Sequence, residues 1–449
     1  MRKLFTTLSN IWKIEDLRVR IINTLLFLLI YRIGSFVVLP GVIYSTLNDG
    51  QGKEGLVGLL NMFAGGSFSR ASIFALGVMP YISASIVVQL LGIAVPYFTK
   101  LQKEGESGRN KLNQWTRYLT IGITALQAVG YVKSQLNANQ ISPEISQFTF
   151  NLMSVFILTA GTLFVMWLGE KITDKGIGNG ISLIIMVGII AQLPGAFLTE
   201  FSVRTGGKGG LITFIVELIA LIGVVMLTIL IVQGTRKVAV QYAKRIVGNK
   251  QYGGVRQYIP IKVNAAGVMP IIFAQALMFI PAYIPSLFPS VSTNAVVMSF
   301  ANASSWEHNL LFGILIIVFT YFYTAITINP NQMADDMKKN GGFIPGVKPG
   351  RTTSEFIDGI ISRITLPGSI FLAIIAIIPA FASVIGVQPI FSRFFGGTSL
   401  IILVGVVLDT LQQIESHLLM RHYDGLMKTG RITGRTAIPT SAGTTPPVI

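Results

Sequence analysis

One tetrapeptide occurs twice in this chain, as Gly77–Pro80 (GVMP) and again as Gly267–Pro270 (GVMP). Each copy lies at the start of a long hydrophobic segment, and the second copy comes five such segments after the first. An odd offset means that the two segments cross a membrane in opposite directions, which is the pattern of two inverted five-helix halves. Proline near the start of a helix costs little, because its missing N–H would be unpaired there in any case. The repeat therefore predicts two halves whose corresponding helices begin with the same local structure.

The composition requires a membrane environment. Hydrophobic residues make up 51% of the 449 residues and charged residues only 12%, about half the charged share of an average soluble chain. The mean hydropathy is +0.64. There is no cysteine and there are three histidines, which excludes disulfides, thiolate nucleophiles and Cys-ligated metals. We therefore predict no metal and no cofactor.

Ten segments are long and apolar enough to cross a bilayer, which requires about 20 residues in a helix. They are Ile21–Leu39, Ile73–Val95, Trp115–Val132, Leu152–Leu168, Ile181–Leu198, Leu211–Val232, Ala265–Ile284, Leu310–Ile328, Pro367–Val387 and Thr398–His417. The sequence thus predicts an all-α membrane protein with ten spans.

The basic residues give the orientation of these spans. Of the 35 Lys and Arg residues, 28 lie in the N-terminal arm, the even-numbered connections and the tail, and six lie in the alternate connections. Basic residues concentrate on the cytoplasmic side of membrane proteins. Both termini are therefore predicted to be cytoplasmic.

The chain divides into four parts on this basis: an N-terminal helix at 1–20, a first half at 21–200, a second half at 201–420 and a cytoplasmic tail at 421–449. The first part has apolar residues at helical spacing among basic ones, which is typical of a helix lying on the inner leaflet. These residues are Leu4, Leu8, Ile11 and Trp12. A disordered basic tail is the alternative.

The segment Leu56–Arg70, between the first two spans, is too short to cross a membrane. Its apolar run breaks at Gly65-Gly66 and continues with small or polar residues. Irregular backbone at membrane depth is tolerated only inside protein or against a water-filled cavity. The segment is either an outer surface loop or a short re-entrant helix in a vestibule.

Two large connections, 233–264 and 329–366, are rich in basic residues and also contain glycine and aromatic residues. They have the composition of folded projections. Their charge either sets topology alone or forms a docking surface for an acidic or RNA-rich partner.

The sequence offers little material for catalysis or solute coupling. Gly176, Gly178 and Gly180 lack the spacing and the βαβ context of a nucleotide-binding loop. Charged residues near mid-span are Arg32, Glu217 and Asp409, and such residues are functional candidates in membrane proteins. Arg32 could instead extend outward toward Pro40, and Asp409 could form a structural hydrogen bond within the bundle.

Several long stretches together resemble the SecY family of protein-conducting channel subunits, from the N-terminal arm to about residue 430. The stretches are 32–41 (RIGSFVVLPG), 61–86 (NMFAGGSFSRASIFALGVMPYISASI), 103–109 (KEGESGR), 166–182 (MWLGEKITDKGIGNGIS), 262–270 (KVNAAGVMP), 333–350 (MADDMKKNGGFIPGVKPG) and 396–400 (GGTSL). The resemblance implies a clamshell of two inverted five-helix halves with a short re-entrant plug helix. It also implies a channel without catalytic activity that passes unfolded secretory polypeptides across the bacterial inner membrane and releases transmembrane segments sideways into lipid.

The resemblance also implies site residues. The plug that closes the outer funnel corresponds to about 61–70, with Asn61, Met62, Phe63, Gly65, Gly66, Ser67 and Arg70. The pore ring corresponds to Ile82, Ile86, Ile185, Ile189, Ile272 and Ile402, which we call the isoleucine ring. The lateral gate lies between the second and third spans and the seventh and eighth, with Gln89, Gln127 and Gln275 as its candidate residues. The docking surface includes Lys250, Arg256, Lys262, Lys348 and Arg351.

The partners that the resemblance implies are SecE, which would clamp the two halves, SecG at the periphery, and the ATPase SecA or a translating ribosome on the two large connections. Signal sequences and nascent polypeptides would be the clients, and the lipid bilayer would receive their apolar segments. Energy would come from SecA or the ribosome.

Two positions depart from the family pattern. Many relatives have Arg where this chain has Lys348, and paired basic residues where it has Asn249-Lys250. Lysine keeps the charge but lacks the planar fork that binds carboxylates and phosphates in pairs. A secondary transporter is the alternative function, since it also uses inverted repeats, and a membrane scaffold or insertase without a pore is a third.

Overall fold

The computed structural model describes residues 12, 14–43, 56–136, 140–206, 210–242, 245–247, 250–252, 256–275, 277–278, 299 and 305–428. Its helices are α1 Glu15–Gly34, α2 Leu56–Phe63, α3 Met79–Ala94, α4 Pro96–Lys103, α5 Glu106–Gln135, α6 Gln147–Lys175, α7 Gly180–Thr205, α8 Gly210–Gln233, α9 from Met269 to 275 with 277–278, α10 Trp306–Thr327, α11 Pro330–Lys339, α12 Arg351–Val384, α13 Pro389–Ser392 and α14 Gly397–Lys428. The strands are β1 Thr235–Tyr242, β2 Arg245–Val247, β3 Lys250–Tyr252, β4 Arg256–Lys262 and β5 Gly342–Phe343. Most of the predicted N-terminal helix, part of the seventh span and the end of the tail lie outside the described residues.

Each predicted span contains a helix in the part of the chain that the structure describes. The helices are, in the order of the spans, α1, α3, α5, α6, α7, α8, α9, α10, α12 and α14. Helix α9 is the described beginning of the seventh span. Among the described residues, six helices are long and apolar enough to cross a membrane by themselves. The helices α3 and α4 add a seventh if the pair, bent by 103° at the break, counts as one broken span. This is the all-α membrane bundle that the sequence predicts.

Proline marks two places where the helices differ from the predicted spans. The second span was expected from residue 73, but 73–78 form turns and α3 begins only at Met79, with Pro80 in its first turn. The ninth predicted span begins at Pro367, and this proline lies inside α12, which begins at Arg351 within the large connection 329–366. A proline inside a membrane helix is tolerated when neighbouring groups compensate for the lost hydrogen bond.

The two copies of the repeated tetrapeptide have the same local structure. Gly77 and Gly267 adopt φ values of +54° and +63°, in the left-handed region that favours glycine. Two residues after each proline, a backbone amide donates to the carbonyl oxygen four residues earlier. Ile82 donates to Val78 at 3.1 Å, and Ile272 donates to Val268 at 3.3 Å. Each copy therefore starts a helix by the same turn, as expected of an internal repeat.

The two large connections fold together into one unit. Strand β1 lies between β4 and β5 in an antiparallel sheet, with Gln241 of β1 opposite both Arg256 and Phe343. Helix α11 and the first turns of α12 cover the sheet, and Val240 and Ile357 are among its buried residues. We call this assembly the loop unit. The expectation of folded projections is confirmed.

The core of the bundle contains residues from both halves. One buried cluster includes Val165 and Ile184 from the first half and Phe391 and Val406 from the second. The two halves therefore meet along a continuous apolar surface, which contains the candidate site.

Candidate functional site

Four isoleucines on four helices line one small cavity. Ile82 of α3, Ile185 of α7, Ile272 of α9 and Ile402 of α14 surround a space of about 20 Å³. A cavity needs about 10–15 Å³ to hold one water molecule. The space therefore has room for about one water, and its lining is mostly apolar, with Ser83, Gln275 and Thr398 as the polar side chains.

The other two members of the isoleucine ring lie one helical turn away. Ile189 is fully buried in the same apolar cluster as Ile185 and Ile402, and Ile86 is buried on α3. Sequence reasoning missed Val406, which is buried in that cluster. Val406 follows Ile402 by four residues, as Ile189 follows Ile185, so the i, i+4 spacing of the fifth and tenth spans was a usable signal.

The plug segment consists of a short helix followed by turns. Helix α2 ends at Phe63, and residues 64–78 form turns, with an isolated bridge at Ser72. Gly65 and Gly66 have φ values of +65° and +86°, which explains the two adjacent glycines. The side-chain oxygen of Asn61 accepts from the amide and the hydroxyl of Ser69, each at 3.0 Å. Only 61–63 of the predicted 61–70 are helical, and the rest is an ordered turn.

The plug segment packs directly against the isoleucine ring. Phe63 lines the same cavity as the four isoleucines, while Met62 and Ser67 are buried. This burial excludes the outer surface loop as an interpretation.

A close backbone contact fixes the plug segment to α7. A Cβ atom added to Gly65 would lie 3.0 Å from the Cα atom of Gly188, which is between Ile185 and Ile189 on α7. One turn further along α7, Gln192 donates from its side chain to the carbonyl oxygen of Asn61 at 2.6 Å. Gly188 and Gln192 were not predicted, because a close approach between distant segments leaves no local sequence pattern.

Two arginines hold the plug segment from the other side. Arg32 donates to the carbonyl oxygen of Gly65 at 2.9 Å and Arg70 donates to the same oxygen at 3.0 Å. Both guanidinium groups also lie over the ring of Phe36, at 4.8 and 4.2 Å from its centre. Arg32 therefore does not extend outward toward Pro40 but stabilises the turn of the plug segment through charge-assisted hydrogen bonds.

The three candidate residues of the lateral gate have different environments. Gln275 is buried on α9 and lines the cavity of the isoleucine ring. Gln89 is partly buried on α3 and donates to the hydroxyl of Ser85 at 3.3 Å. Gln127 is exposed on α5. The structure thus places one of the three at the ring.

Four of the five candidate docking residues lie on the loop unit, and Lys250 lies on the neighbouring strand pair. Arg256, Lys262 and Lys348 are exposed, and Arg351, also exposed, pairs with Glu355 at 3.1 Å. The backbone of Lys250 belongs to β3, which pairs with β2. The loop unit is therefore a folded structure with positive charges spread over its surface.

The remaining intramembrane charges do not form a transport site. Glu217 pairs with Arg204 of α7. Asp409 is exposed on α14, and this exposure does not agree with the structural hydrogen bond within the bundle that was considered for it. Among the described residues, no group of three or more His, Asp or Glu side chains could hold a metal ion.

Comparisons with solved structures define the class. The fold matches that of a protein-conducting channel with a TM-score of 0.63, at 19% identity, over 89% of this chain and 92% of that one. It also matches Sec61 in the canine ribosome–channel complex from the endoplasmic reticulum, with a TM-score of 0.60 at 18% identity, over the same shares of the two chains. The bundle therefore has the fold of protein-conducting channels.

Sequence comparisons give the family. The SecY family profile matches residues 72–411. The protein translocase subunit SecY of Streptomyces scabiei is 42% identical over 95% of this chain and 100% of its own length. That of Thermotoga maritima is 39% identical over 96% and 100%, and that of Halalkalibacterium halodurans is 43% identical over 95% and 100%. The chain belongs to the SecY family.

Proposed function

We propose that the isoleucine ring is the constriction of this protein-conducting channel and that the plug segment closes it. The chain acts as a channel subunit that passes unfolded secretory polypeptides across the membrane and releases transmembrane segments into lipid. One observation supports this most strongly: isoleucines from four helices and Phe63 of the plug segment surround a single cavity of about 20 Å³.

The chemistry of the ring suits a seal that must also open. Branched apolar side chains offer no hydrogen bonds, so a narrow gap between them dewets and blocks ions. The same side chains can move aside and close around a passing chain without selecting any particular residue. Opening requires the plug segment to leave α7, which breaks the bond from Gln192 to Asn61 and separates Gly65 from Gly188.

The lateral gate is proposed between α3 and α5 on one side and α9 and α10 on the other, where the sequence places Gln89, Gln127 and Gln275. Gln275 supports this position, since it lies both at the ring and on a helix that forms one side of the gate. A polar side chain there would weaken apolar contact between the two sides.

The loop unit is the proposed docking surface for SecA or a ribosome, and SecE and SecG are the proposed membrane partners. Exposed basic residues on a folded base support electrostatic attraction of an acidic or RNA-rich partner. Two solved relatives with this fold are named as ribosome complexes, the canine Sec61 complex and the yeast Ssh1 complex. The distribution of basic residues supports a multi-pass protein of the bacterial inner membrane with both termini cytoplasmic.

The secondary transporter is not supported. Its coupling site would need a charged side chain facing a cavity at mid-membrane. The cavity at the isoleucine ring is lined by apolar and neutral polar side chains and by no charged one, Glu217 is paired and Asp409 is exposed. Membership of the SecY family agrees with a channel.

Substitution of Ile402 by asparagine tests the proposal. The polar side chain should let water into the constriction, raise the ion leak and relax the requirement for a good signal sequence, because dewetting needs an apolar wall. Conductance of lipid bilayers containing the purified complex measures the leak. Val407→Asn, at an exposed position on the same helix, is the control. If both variants and the parent have the same ion conductance, Ile402 is only a packing residue.

A further inference from the structure

A buried charged cluster joins the end of α7 to the second half of the bundle. Glu200 of α7 is fully buried, and its two carboxylate oxygens accept from Nε of Arg204 and from the backbone amide of Gln388, each at 2.9 Å. Arg204 pairs with Glu217 of α8 and donates to the carbonyl oxygen of Gly386 at 2.9 Å. We call these three side chains, with the backbone of 386–388, the outer cluster.

The outer cluster connects segments that the inverted repeat assigns to different halves. Glu200 and Arg204 lie on α7, the fifth span, which ends at Thr205, five residues past the predicted boundary of the first half, whereas Glu217 and 386–388 lie in the second half. The only covalent link between the halves is the connection from α7 to α8, which the outer cluster adjoins. Side chains of Arg204 and Glu217 are each 11% exposed. Ionic contacts of this kind are costly to break, because separation leaves a buried charge without its partner.

Aromatic packing strengthens the same junction. Phe197 of α7 contacts Phe214 of α8 and Phe391 of α13, with ring centres 5.2 and 6.5 Å apart. Phe201 of α7 also contacts Phe214, at 5.5 Å. Edge-to-face pairs of this geometry are favourable beyond the area that they bury. The junction is therefore held by charge and by apolar contact together.

At its other end α7 is attached to the second half more weakly. The backbone amide of Gly178, just before α7, donates to the side-chain oxygen of Gln413 of α14 at 2.8 Å. Gln413 is exposed, so water can replace this neutral hydrogen bond at little net cost. The predicted topology places this end in the cytoplasm and the outer cluster on the opposite side of the membrane.

From this asymmetry we infer that Glu200, Arg204 and Glu217 are positioning residues for gating. They hold the outer end of α7 against the second half, so that α7 remains a fixed wall of the constriction and the halves separate first at the cytoplasmic end. The inference rests on the proposed channel function. The contacts of the outer cluster described above include no residue of the isoleucine ring, and the cluster acts through the placement of α7.

Distances between spin labels test this inference, because the chain has no cysteine. One labelled pair, Leu198→Cys with Val384→Cys, reports the outer end from exposed positions on α7 and α12. A second pair, Asp174→Cys with Gln412→Cys, reports the cytoplasmic end from exposed positions on α6 and α14. In the purified complex in liposomes, Arg204→Met should shift the outer pair toward a longer, broader distribution, with a change on the order of 100-fold in the ratio of the two populations. Gln413→Ala should leave the outer pair unchanged and shift the cytoplasmic pair by roughly tenfold at most.

Two milder variants keep the test decisive if Arg204→Met does not fold. Glu217→Gln removes one carboxylate while retaining the bond between Glu200 and Arg204, and Arg204→Lys retains the charge without the fork that reaches three acceptors. Relative to the parent, each should shift the outer pair toward longer distances and leave the cytoplasmic pair unchanged. Glu104→Gln, at an exposed pair with Lys111, is the control and should change neither distance.

Unchanged outer distances in folded Glu217→Gln and Arg204→Lys variants would overturn the inference, as would an equal change at both ends. Failure of the proposed function is distinguishable from this, since it would appear as a parent complex that neither translocates a secretory polypeptide nor conducts when the plug segment is displaced.

Discussion

Replacing Gly188 by alanine should push the plug segment away from the wall of the pore. A Cβ atom at residue 188 would lie 2.9 Å from the carbonyl oxygen of Phe63, 3.1 Å from the amide nitrogen of Gly65 and 3.3 Å from the Cα atom of Gly65. All three are backbone atoms, so relief of the contact requires the plug segment itself to move. Overpacking of this kind costs about 1–3 kcal/mol, which corresponds to a roughly 5- to 140-fold change in the ratio of seated to displaced plug.

The same helix supplies a matched control. A Cβ atom at Gly195 would meet nothing within 4 Å, so Gly195→Ala changes α7 in the same way without touching the plug segment. Both substitutions gain about 1 kcal/mol of helix propensity. Comparison of the two variants therefore isolates the contact between Gly188 and the plug segment.

Thiol labelling measures the position of the plug segment. Ser67 is fully buried, so Ser67→Cys in the otherwise Cys-free chain should react slowly with a membrane-impermeant reagent while the plug is seated. Gly188→Ala should raise the labelling rate and the chloride leak from liposomes, and Gly195→Ala should change neither. If the two alanine variants label at the same rate, the plug segment does not rest on α7 and the reasoning fails.

The remaining predictions concern topology, docking and the arginine contact. A single cysteine in place of Lys348 should be labelled only from the cytoplasmic side of intact cells, and labelling from outside would reverse the proposed orientation. Arg256→Glu or Lys348→Glu should weaken coupling to SecA or the ribosome without affecting membrane insertion. High salt should mimic that defect, since exposed charges are screened within about 10 Å at 0.1 M, and a normal secretion rate in both variants would leave these residues as topology signals alone. Arg32→Met should raise labelling of Ser67→Cys, because the carbonyl oxygen of Gly65 loses a charged donor worth about 1.5–3 kcal/mol, and an unchanged rate would show that Arg70 suffices.

The spans and their repeat were predictable because a bilayer imposes length and hydrophobicity on each helix separately. The start of the second helix could not be predicted from hydrophobicity, since residues 73–78 are as apolar as the helix that follows. What delays that helix is the left-handed turn at Gly77 and the proline after it. Hydrophobicity measures depth in the membrane and does not distinguish a helix from a buried turn.

The candidate site was predictable in its membership but not in its contacts. The resemblance to a family supplied the six isoleucines, four of which line the cavity. It gave no partner for Arg32 and no reason for Gly188, because both depend on the turn at Gly65 reaching α7 and α1 in three dimensions. Glu217 looked isolated in the sequence for the same reason, since its partner Arg204 lies across the connection between the halves.

The repeated tetrapeptide accounts for both the symmetry of the constriction and its asymmetry. Ile82 and Ile272 each follow the repeated proline by two residues, so the two halves contribute equivalent side chains to one cavity. The segments that precede the tetrapeptide differ: the first half has α2 and the turns of the plug segment, and the second has β4 of the loop unit. Inverted halves place corresponding segments on opposite sides of the membrane. On the proposed function, one repeat therefore places the plug at one mouth of the constriction and the basic docking surface at the other, so the two mouths differ although the ring between them is symmetric.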